Sequence, residues 1–161
     1  MQDPYRSPSA RLDPSDLRAP RSSFVAVLLG GLLVDFVGTI VVSVMLAVGL
    51  GTVLAATGYA EPEVIRWLDS AFYLYVASAF GLLMTIIGGY VAGRWARTRE
   101  VWHGALAGAL SLVLGIPFFL LPESTDPLWL NLVLLTIQIP AAMFGGSLAR
   151  RRAARPLPSD A

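Results

Sequence analysis

The sequence contains no cysteine and a single histidine, and all twelve of its basic residues are arginine. The absence of cysteine excludes disulfide bonds, thiol catalysis and cysteine metal sites. One histidine also excludes a metal site made of several histidines, so we expect no bound metal and no cofactor. Charge is scarce as well, because charged residues make up 14% of the chain against about 25% in soluble domains. This composition argues against a soluble fold.

Long apolar runs take the place of charge, and 55% of the 161 residues are hydrophobic. The runs are longer than the ~18 residues that mark a membrane span. We therefore predict an all-α membrane protein whose four-helix transmembrane domain covers residues 24–149. Its four transmembrane helices are expected at about residues 24–48, 71–93, 101–121 and 128–149.

The two ends of the chain are predicted to be tails outside the membrane. Residues 1–23 are rich in proline, serine and charge, and they lack the apolar content that offsets the entropy of ordering. We therefore expect a disordered cytoplasmic tail there. Residues 150–161 hold four arginines and are predicted to form a second, basic cytoplasmic tail.

The first apolar run, residues 24–57, is interrupted by one charge, Asp35. A straight helix of that length would measure ~51 Å, which exceeds the ~30 Å hydrocarbon core. The helix therefore either tilts and protrudes, or ends near residues 49–51 with the remainder at the interface. We favour a span at about 24–48.

Arginine is distributed unevenly along the chain. Four lie in each tail and three lie in the turn after the second span, Arg94, Arg97 and Arg99, whereas the two other loops hold only Arg66. Basic residues favour the cytoplasmic side of a membrane. We therefore predict an N-in/C-in, up-down-up-down bundle of two hairpins. Because the arginine clusters flank the spans, their expected partners are the bilayer and its anionic headgroups, with no nucleic acid.

The second and fourth spans end in a related pattern. Gly88–Arg94 reads Gly-Gly-Tyr-Val-Ala-Gly-Arg, and residues 145–151 read Gly-Gly-Ser-Leu-Ala-Arg-Arg. This pattern fits a duplicated hairpin, and it equally fits helix ends that converge on small residues followed by arginine. Small residues at a spacing of four let helices approach closely, either within the bundle or between copies of the chain.

The first of these motifs continues through a short turn into His103-Gly104-Ala105-Leu106-Ala107-Gly108. Together the two segments resemble a group of small, uncharacterised bacterial inner-membrane proteins with four predicted helices. In that group a Gly-Gly-Tyr/Phe-x-Ala-x-Arg helix end leads into a His-Gly-x-Leu-x-Gly helix start. The resemblance covers residues 88–108 and implies a bacterial plasma membrane. It carries no activity with it.

Asp35 is the most informative polar residue of the sequence. It lies ~16 Å deep in a straight helix, where a carboxylate costs about 2.5–3.5 kcal/mol, so it is expected to face the bundle interior. Depth counting places Thr85, Ser111 and Gln138 at about the same level, which predicts a polar layer across four helices. Two interpretations stay open: a proton or ion site, and a hydrogen-bonded pin that holds the helix register.

His103 starts the third span at the predicted cytoplasmic interface, near Arg94, Arg97 and Arg99. Histidine can titrate near neutral pH, but a lone interfacial histidine also serves as an anchor or as a hydrogen-bonding helix start. The sequence shows no phosphate-cradling glycine loop, nucleophile elbow or paired carboxylates. We therefore predict no catalytic residues and no enzyme.

Three functions are compatible with these features. The first, which we predict, is a structural or accessory membrane protein without catalytic activity that associates with a second copy or another membrane protein. The second is a small transporter or channel subunit with Asp35 and Gln138 in a proton or solute path. The third and weakest is an enzyme that acts on lipid through His103.

Reporter fusions test the predicted orientation. A fusion at Arg99 should report the cytoplasm and a fusion at Glu61 the opposite side, because the arginines favour the cytoplasmic face. The measurement is the activity of a pair of reporters that function on opposite sides of the membrane. An external location of Arg99 would overturn the whole arrangement.

Overall fold

A computed structural model describes residues 23–119 and 127–153. The predicted N-terminal tail, apart from Ser23, lies outside the described residues, as do residues 120–126 and 154–161. The described part is helical and contains no strand. Its five helices are α1 Ser23–Ala56, α2 Glu61–Leu68, α3 Ala71–Ala96, α4 Glu100–Phe119 and α5 Leu128–Ala153. All but α2 are long and apolar enough to cross a membrane, which confirms the all-helical class and the four long helices.

Helix α1 does not end at residues 49–51 but runs on to Ala56. In the segment Leu28–Val37 of this helix, the backbone follows wider π-helical hydrogen bonding. Each N–H then donates to the carbonyl oxygen five residues back rather than four. This pattern is rare in proteins, but where it occurs it often lies at a functional site. The amide of Gly38, for example, donates to the carbonyl oxygen of Leu33.

The π-helical winding changes which residues of α1 share a face. At about 100° per residue, Gly30 and Asp35 would lie about 140° apart around an α-helix. Hydrogen bonding from residue i to residue i−5 aligns them instead, and both are buried, together with Gly31. The winding therefore brings the carboxyl group of Asp35 onto the face that packs against the other helices.

Helices α2 and α3 begin with local hydrogen bonds that the sequence encodes. The Glu63 carboxylate accepts the backbone N–H of Ala60 at 3.0 Å, with Pro62 in the first turn. The Ser70 hydroxyl accepts the backbone N–H of Tyr73 at 3.3 Å and caps α3. The short amphipathic helix α2 is thereby separated from the long apolar helix α3.

Helices α3 and α5, which carry arginine in their last turns, both extend beyond the predicted spans. Helix α3 continues to Ala96, after which Arg97 and Arg99 adopt left-handed backbone conformations with φ of 59° and 48°. Helix α5 continues to Ala153, so Arg150 and the two arginines that follow it form its last helical turn rather than part of a tail. Cations are favourable there because the unpaired carbonyl groups make a helix C-terminus negative.

Helices α3 and α4 lie at the centre of the bundle. They contact each other, and each contacts both α1 and α5, whereas α1 and α5 have no backbone contact within the described ranges. Along α1 and α3 the contacts run in opposite directions, because Gly30 meets Ala92 and Ser43 meets Tyr73. Helices α3 and α5 instead run in the same direction, and the Arg152 guanidinium donates to the Tyr90 hydroxyl near their ends.

The two ends of the bundle differ in charge and in packing. We call the end that carries Arg94, Arg97, Arg99 and residues 150–152 the arginine end, and the end that carries Glu61, Glu63 and Asp69 the acidic end. Buried glycine and alanine fill the half of the bundle nearer the arginine end, which we call the glycine core. Its members are Ala26, Gly30, Gly31, Gly88, Gly89, Ala92, Gly93, Ala96, Gly104, Ala107, Gly108, Ala141, Ala142, Gly145, Gly146 and Ala149.

Backbone-to-backbone contact defines the glycine core. A β-carbon built on Gly89 would clash with the carbonyl oxygen of Ala142, and one built on Gly145 would clash with the carbonyl oxygen of Ile86. Similarly, a β-carbon on Gly104 would lie 2.6 Å from the Ala142 carbonyl oxygen. The repeated Gly-Gly motifs therefore allow the helices of one chain to pack closely. In lipid, such packing between small residues is a main source of helix association.

Replacing Gly145 by alanine should destabilise the bundle. The added methyl group would push apart the backbones of α3 and α5, and overpacking of this kind costs about 1–3 kcal/mol. The matched control is Gly49→Ala, where nothing lies within 4 Å of the added β-carbon and the helix should gain about 0.5–1 kcal/mol. Chemical denaturation of the detergent-solubilised protein measures both, and equal effects would contradict the packing argument.

Candidate functional site

The four residues of the predicted polar layer lie together at the level where the glycine core ends. The Thr85 hydroxyl donates to Asp35 Oδ1 at 2.8 Å, which joins α1 to α3. The Ser111 hydroxyl donates to the Gly31 carbonyl oxygen at 2.7 Å, which joins α4 to α1. Gln138 of α5 lines the same cavity as these three residues. The structure thus places all four side chains around one site.

The carboxyl group of Asp35 is only half satisfied. The residue is 2% exposed, its Oδ1 accepts the Thr85 hydrogen bond, and its Oδ2 is buried without any hydrogen-bond partner. The side chains of Ser111 and Gln138 face the same carboxyl group, but neither donates to Oδ2. Leaving a buried polar atom unpaired costs free energy, about 1–3 kcal/mol or more when it is charged. Such an atom calls for an explanation.

A cavity of about 320 Å³ extends from the polar layer toward the acidic end. It reaches Ser43 on α1 and Leu74 on α3, and all four long helices contribute to its wall. Its polar groups are mainly hydroxyls, whereas most of the wall is apolar. The lining residues are Asp35, Phe36, Thr39, Ile40, Ser43, Leu74, Ala77, Ser78, Gly81, Leu82, Thr85, Ser111, Gly115, Leu134 and Gln138.

The cavity exists because α1 leaves the bundle above the polar layer. Its first part, residues 23–37, packs on both α3 and α4. Its second segment, Gly38–Ala56, packs on α2 and α3 and has no backbone contact with α4 or α5 in the described ranges. The helices thus separate on the acidic side of Asp35, while the glycine core keeps them together on the other side. The polar layer is therefore the floor of a one-ended cavity.

The interfacial residues lie apart from this cavity. His103 is 4% exposed, and its Nδ1 lies 3.2 Å from the backbone carbonyl oxygen of Arg99. Arg94, Arg97 and Arg99 are all exposed. Arg99 lines a surface cleft of about 490 Å³ with Trp102 and Arg150, among others, at the arginine end. His103 thus lies in the first turn of α4, where its ring can hydrogen-bond to the Arg99 carbonyl oxygen.

The chain matches no family model, no curated protein and no solved structure. Its function must therefore be inferred from the site itself. Among the described residues, no group of three histidine, aspartate or glutamate side chains could hold a metal ion. In the described part of the chain, the polar layer holds the one buried side-chain atom without a hydrogen-bond partner, Asp35 Oδ2, and it adjoins a cavity.

The depth of the polar layer could be counted from the sequence, but the cavity above it could not. A signal was nevertheless present, because Thr39 and Ser43 follow Asp35 at a helical spacing of four. On α3, Ser78 precedes Thr85 by two turns. These hydroxyls extend the polar stripe from the floor along the cavity wall. Recognising the stripe required knowing that α1 and α3 face each other there.

Removing the Thr85 hydroxyl tests the bond to Asp35. Thr85→Val keeps the shape of the side chain but leaves Oδ1 without a donor, so we expect a loss of about 1–2 kcal/mol. The matched control is Thr136→Val on α5, because that exposed hydroxyl bonds only to Leu132 of its own helix. Denaturation in detergent compares the two, and an equal loss in both variants would show that the buried bond adds nothing.

Proposed function

We propose that the protein is a multi-pass protein of the bacterial plasma membrane, with its arginine end in the cytoplasm. The four helices then form an up-down-up-down bundle with both termini inside. The support is the clustering of arginine at one end of the bundle and of Glu61, Glu63 and Asp69 at the other, which the positive-inside rule relates to sidedness. In this orientation the cavity above Asp35 faces away from the cytoplasm.

Within that membrane the protein acts as a small transporter or channel subunit, in which Asp35 takes up a proton or a small solute from the acidic end. The observation that carries this proposal is the unpartnered Oδ2 of Asp35 at the floor of a cavity. An ionisable residue at this depth is costly, and such residues commonly mark ion and substrate paths. Gln138 contributes an amide to the same wall.

The alternative is a structural or accessory protein without catalytic activity, in which Asp35 only pins α1 to α3. The Thr85 hydrogen bond and the close packing of the glycine core favour this role. A purely structural role for Asp35, however, does not require a cavity beside it. A buried carboxyl group stabilises a fold best when both of its oxygens are hydrogen-bonded. Gln138 lies in reach of the site but leaves Oδ2 unpaired. We therefore rank transport first.

Neither role involves catalysis. The cavity holds one carboxyl group, and no other ionisable side chain lines it, so the general acid and base pair that many hydrolytic reactions use is lacking. His103, the candidate for lipid chemistry, has its ring buried beside a backbone carbonyl rather than in the cavity. We therefore propose that the protein is not an enzyme.

Release toward the cytoplasm requires a change of conformation, because the glycine core closes that side of the polar layer. Helix α1 is suited to such a change. Asp35 lies in its π-helical part, and among the described helices the segment beyond, Gly38–Ala56, packs only on α2 and α3. Segments with few packing partners open at lower free energy than the rest of a fold. Movement of α1 against α3 would expose Asp35 to either side in turn.

Proton flux into proteoliposomes tests this function. The full-length protein is reconstituted with an internal pH-sensitive dye, and a pH gradient is imposed. Wild-type protein should raise the flux above that of empty vesicles, and Asp35→Asn should abolish the increase because the amide cannot carry the proton. The matched control is Asp69→Asn, an exposed carboxylate outside the cavity, which should retain the wild-type flux.

Stability measurements on the same variants distinguish the two roles. If Asp35→Asn folds normally and loses the flux, the purely structural role is excluded. If Asp35→Asn is silent while Asp35→Ala lowers the unfolding temperature, Asp35 is a pin and the transport role is excluded.

A further inference from the structure

We propose that the ligand of the Asp35 cavity is a small organic cation that has an N–H donor and an apolar body, such as a primary alkylammonium ion. This inference rests on the proposed solute path and names its substrate class. The geometry points to it through three properties of the cavity: the unsatisfied atom at its floor, the composition of its wall, and its size.

The unsatisfied atom sets the polarity of the ligand. Oδ2 of Asp35 is an acceptor without a donor, while Oδ1 is already engaged by Thr85. A donor that also carries positive charge makes the strongest partner for a carboxylate, because charge-assisted hydrogen bonds are roughly twice as strong as neutral ones. No arginine or histidine lines the cavity to supply that charge from the protein. The ligand must bring it.

The cavity wall sets the remainder of the ligand. Above the floor it is formed largely by aliphatic side chains and small residues, including Ile40, Leu74 and Leu134, and Phe36 also lines the cavity. An apolar body gains about 25 cal/mol for each Å² that it buries against such surfaces. The side-chain oxygen of Gln138, which lines the same cavity, can accept a second N–H. Charge is thus recognised at the floor and apolar surface above it.

The size of the cavity argues against a bare metal ion. A volume of about 320 Å³ is at the lower end of small-molecule pockets, which are roughly 300–1,000 Å³. A hard cation such as Ca²⁺ needs about 6–8 oxygen ligands close together. The floor offers a single carboxyl group, and its other oxygens belong to the neutral side chains of Thr85, Ser111 and Gln138, which is a poor set for a hard dication. An organic ammonium ion fills the space and needs far fewer oxygens.

Access to Oδ2 requires the wall to yield, because Asp35 is 2% exposed. Within the described ranges, the wall formed by the second segment of α1 has the least support, since that segment has no backbone contact with α4 or α5. Ile40, which lines the cavity from this segment, is 43% exposed. A ligand can therefore reach the carboxyl group by displacing this part of α1, which links binding to the movement that transport needs.

Calorimetric titration of the full-length protein in detergent tests the ligand class with three probes that share one alkyl chain. Hexylammonium carries charge and N–H donors, hexyltrimethylammonium carries charge only, and hexanol is neutral. We expect hexylammonium to bind roughly tenfold or more tightly than either of the others, as one charge-assisted hydrogen bond implies. Equal binding of all three probes would show a merely apolar pocket and overturn the inference.

Two variants assign the interaction to Asp35. Asp35→Asn should weaken hexylammonium binding roughly tenfold or more and leave hexanol binding unchanged, while the control Asp69→Asn should bind both as the wild type does. Unchanged hexylammonium binding by a folded Asp35→Asn protein would overturn the inference. If Asp35→Asn does not fold, the comparison of the three probes on wild-type protein decides the question by itself.

The binding experiment and the flux experiment can each give a negative result independently of the other. If Asp35-dependent proton flux is present but hexylammonium does not bind, the organic-cation inference is overturned while the transport function stands. If hexylammonium binds at Asp35 but neither protons nor hexylammonium enter the vesicles in an Asp35-dependent way, the ligand class is supported and the transport function is excluded.

Discussion

Close contact between the backbones of small residues is the interaction on which the rest of the structure depends. Lipid tails are as apolar as leucine, so apolar burial does not hold helices together in a membrane, and packing and hydrogen bonds must do so. In this chain Gly89 meets Ala142 and Gly145 meets Ile86 without any side chain between them. The large apolar side chains, such as Phe24, Met45 and Leu128, are left exposed on the outside of the bundle. They suit lipid as a neighbour.

The same contact explains why a cavity lies where it does. Because the glycine core holds the helices together on one side of the polar layer, α1 is anchored there and can diverge on the other side. Asp35 lies at the boundary, bonded to Thr85 across the last close approach of α1 and α3. Wider helix winding around Asp35 turns its carboxyl group inward. The glycine core, the polar layer and the cavity thus all follow from one packing arrangement.

The candidate site combines features that a purely structural protein does not need. One oxygen of Asp35 contributes to stability through Thr85, and the other is buried without a partner beside a cavity whose other lining residues are apolar or hydroxyl-bearing, apart from Gln138. The arginines lie at the other end and are exposed, which fits the proposed contact with anionic headgroups. In the proposed function, anchoring in the membrane and recognition of a solute belong to different ends of the same helices.

The sequence by itself determined the properties that depend on order along the chain. Run length and composition predicted four long apolar helices, and counting residues from the helix ends put Asp35, Thr85, Ser111 and Gln138 at one level, because an α-helix rises by a nearly constant distance per residue. Only the tertiary structure decided which carboxyl oxygen is bonded, where the cavity lies, and that the glycines pack within one chain. These depend on distances between helices, and on a local shift to π-helical bonding at Leu28–Val37, which no pattern in the sequence specifies.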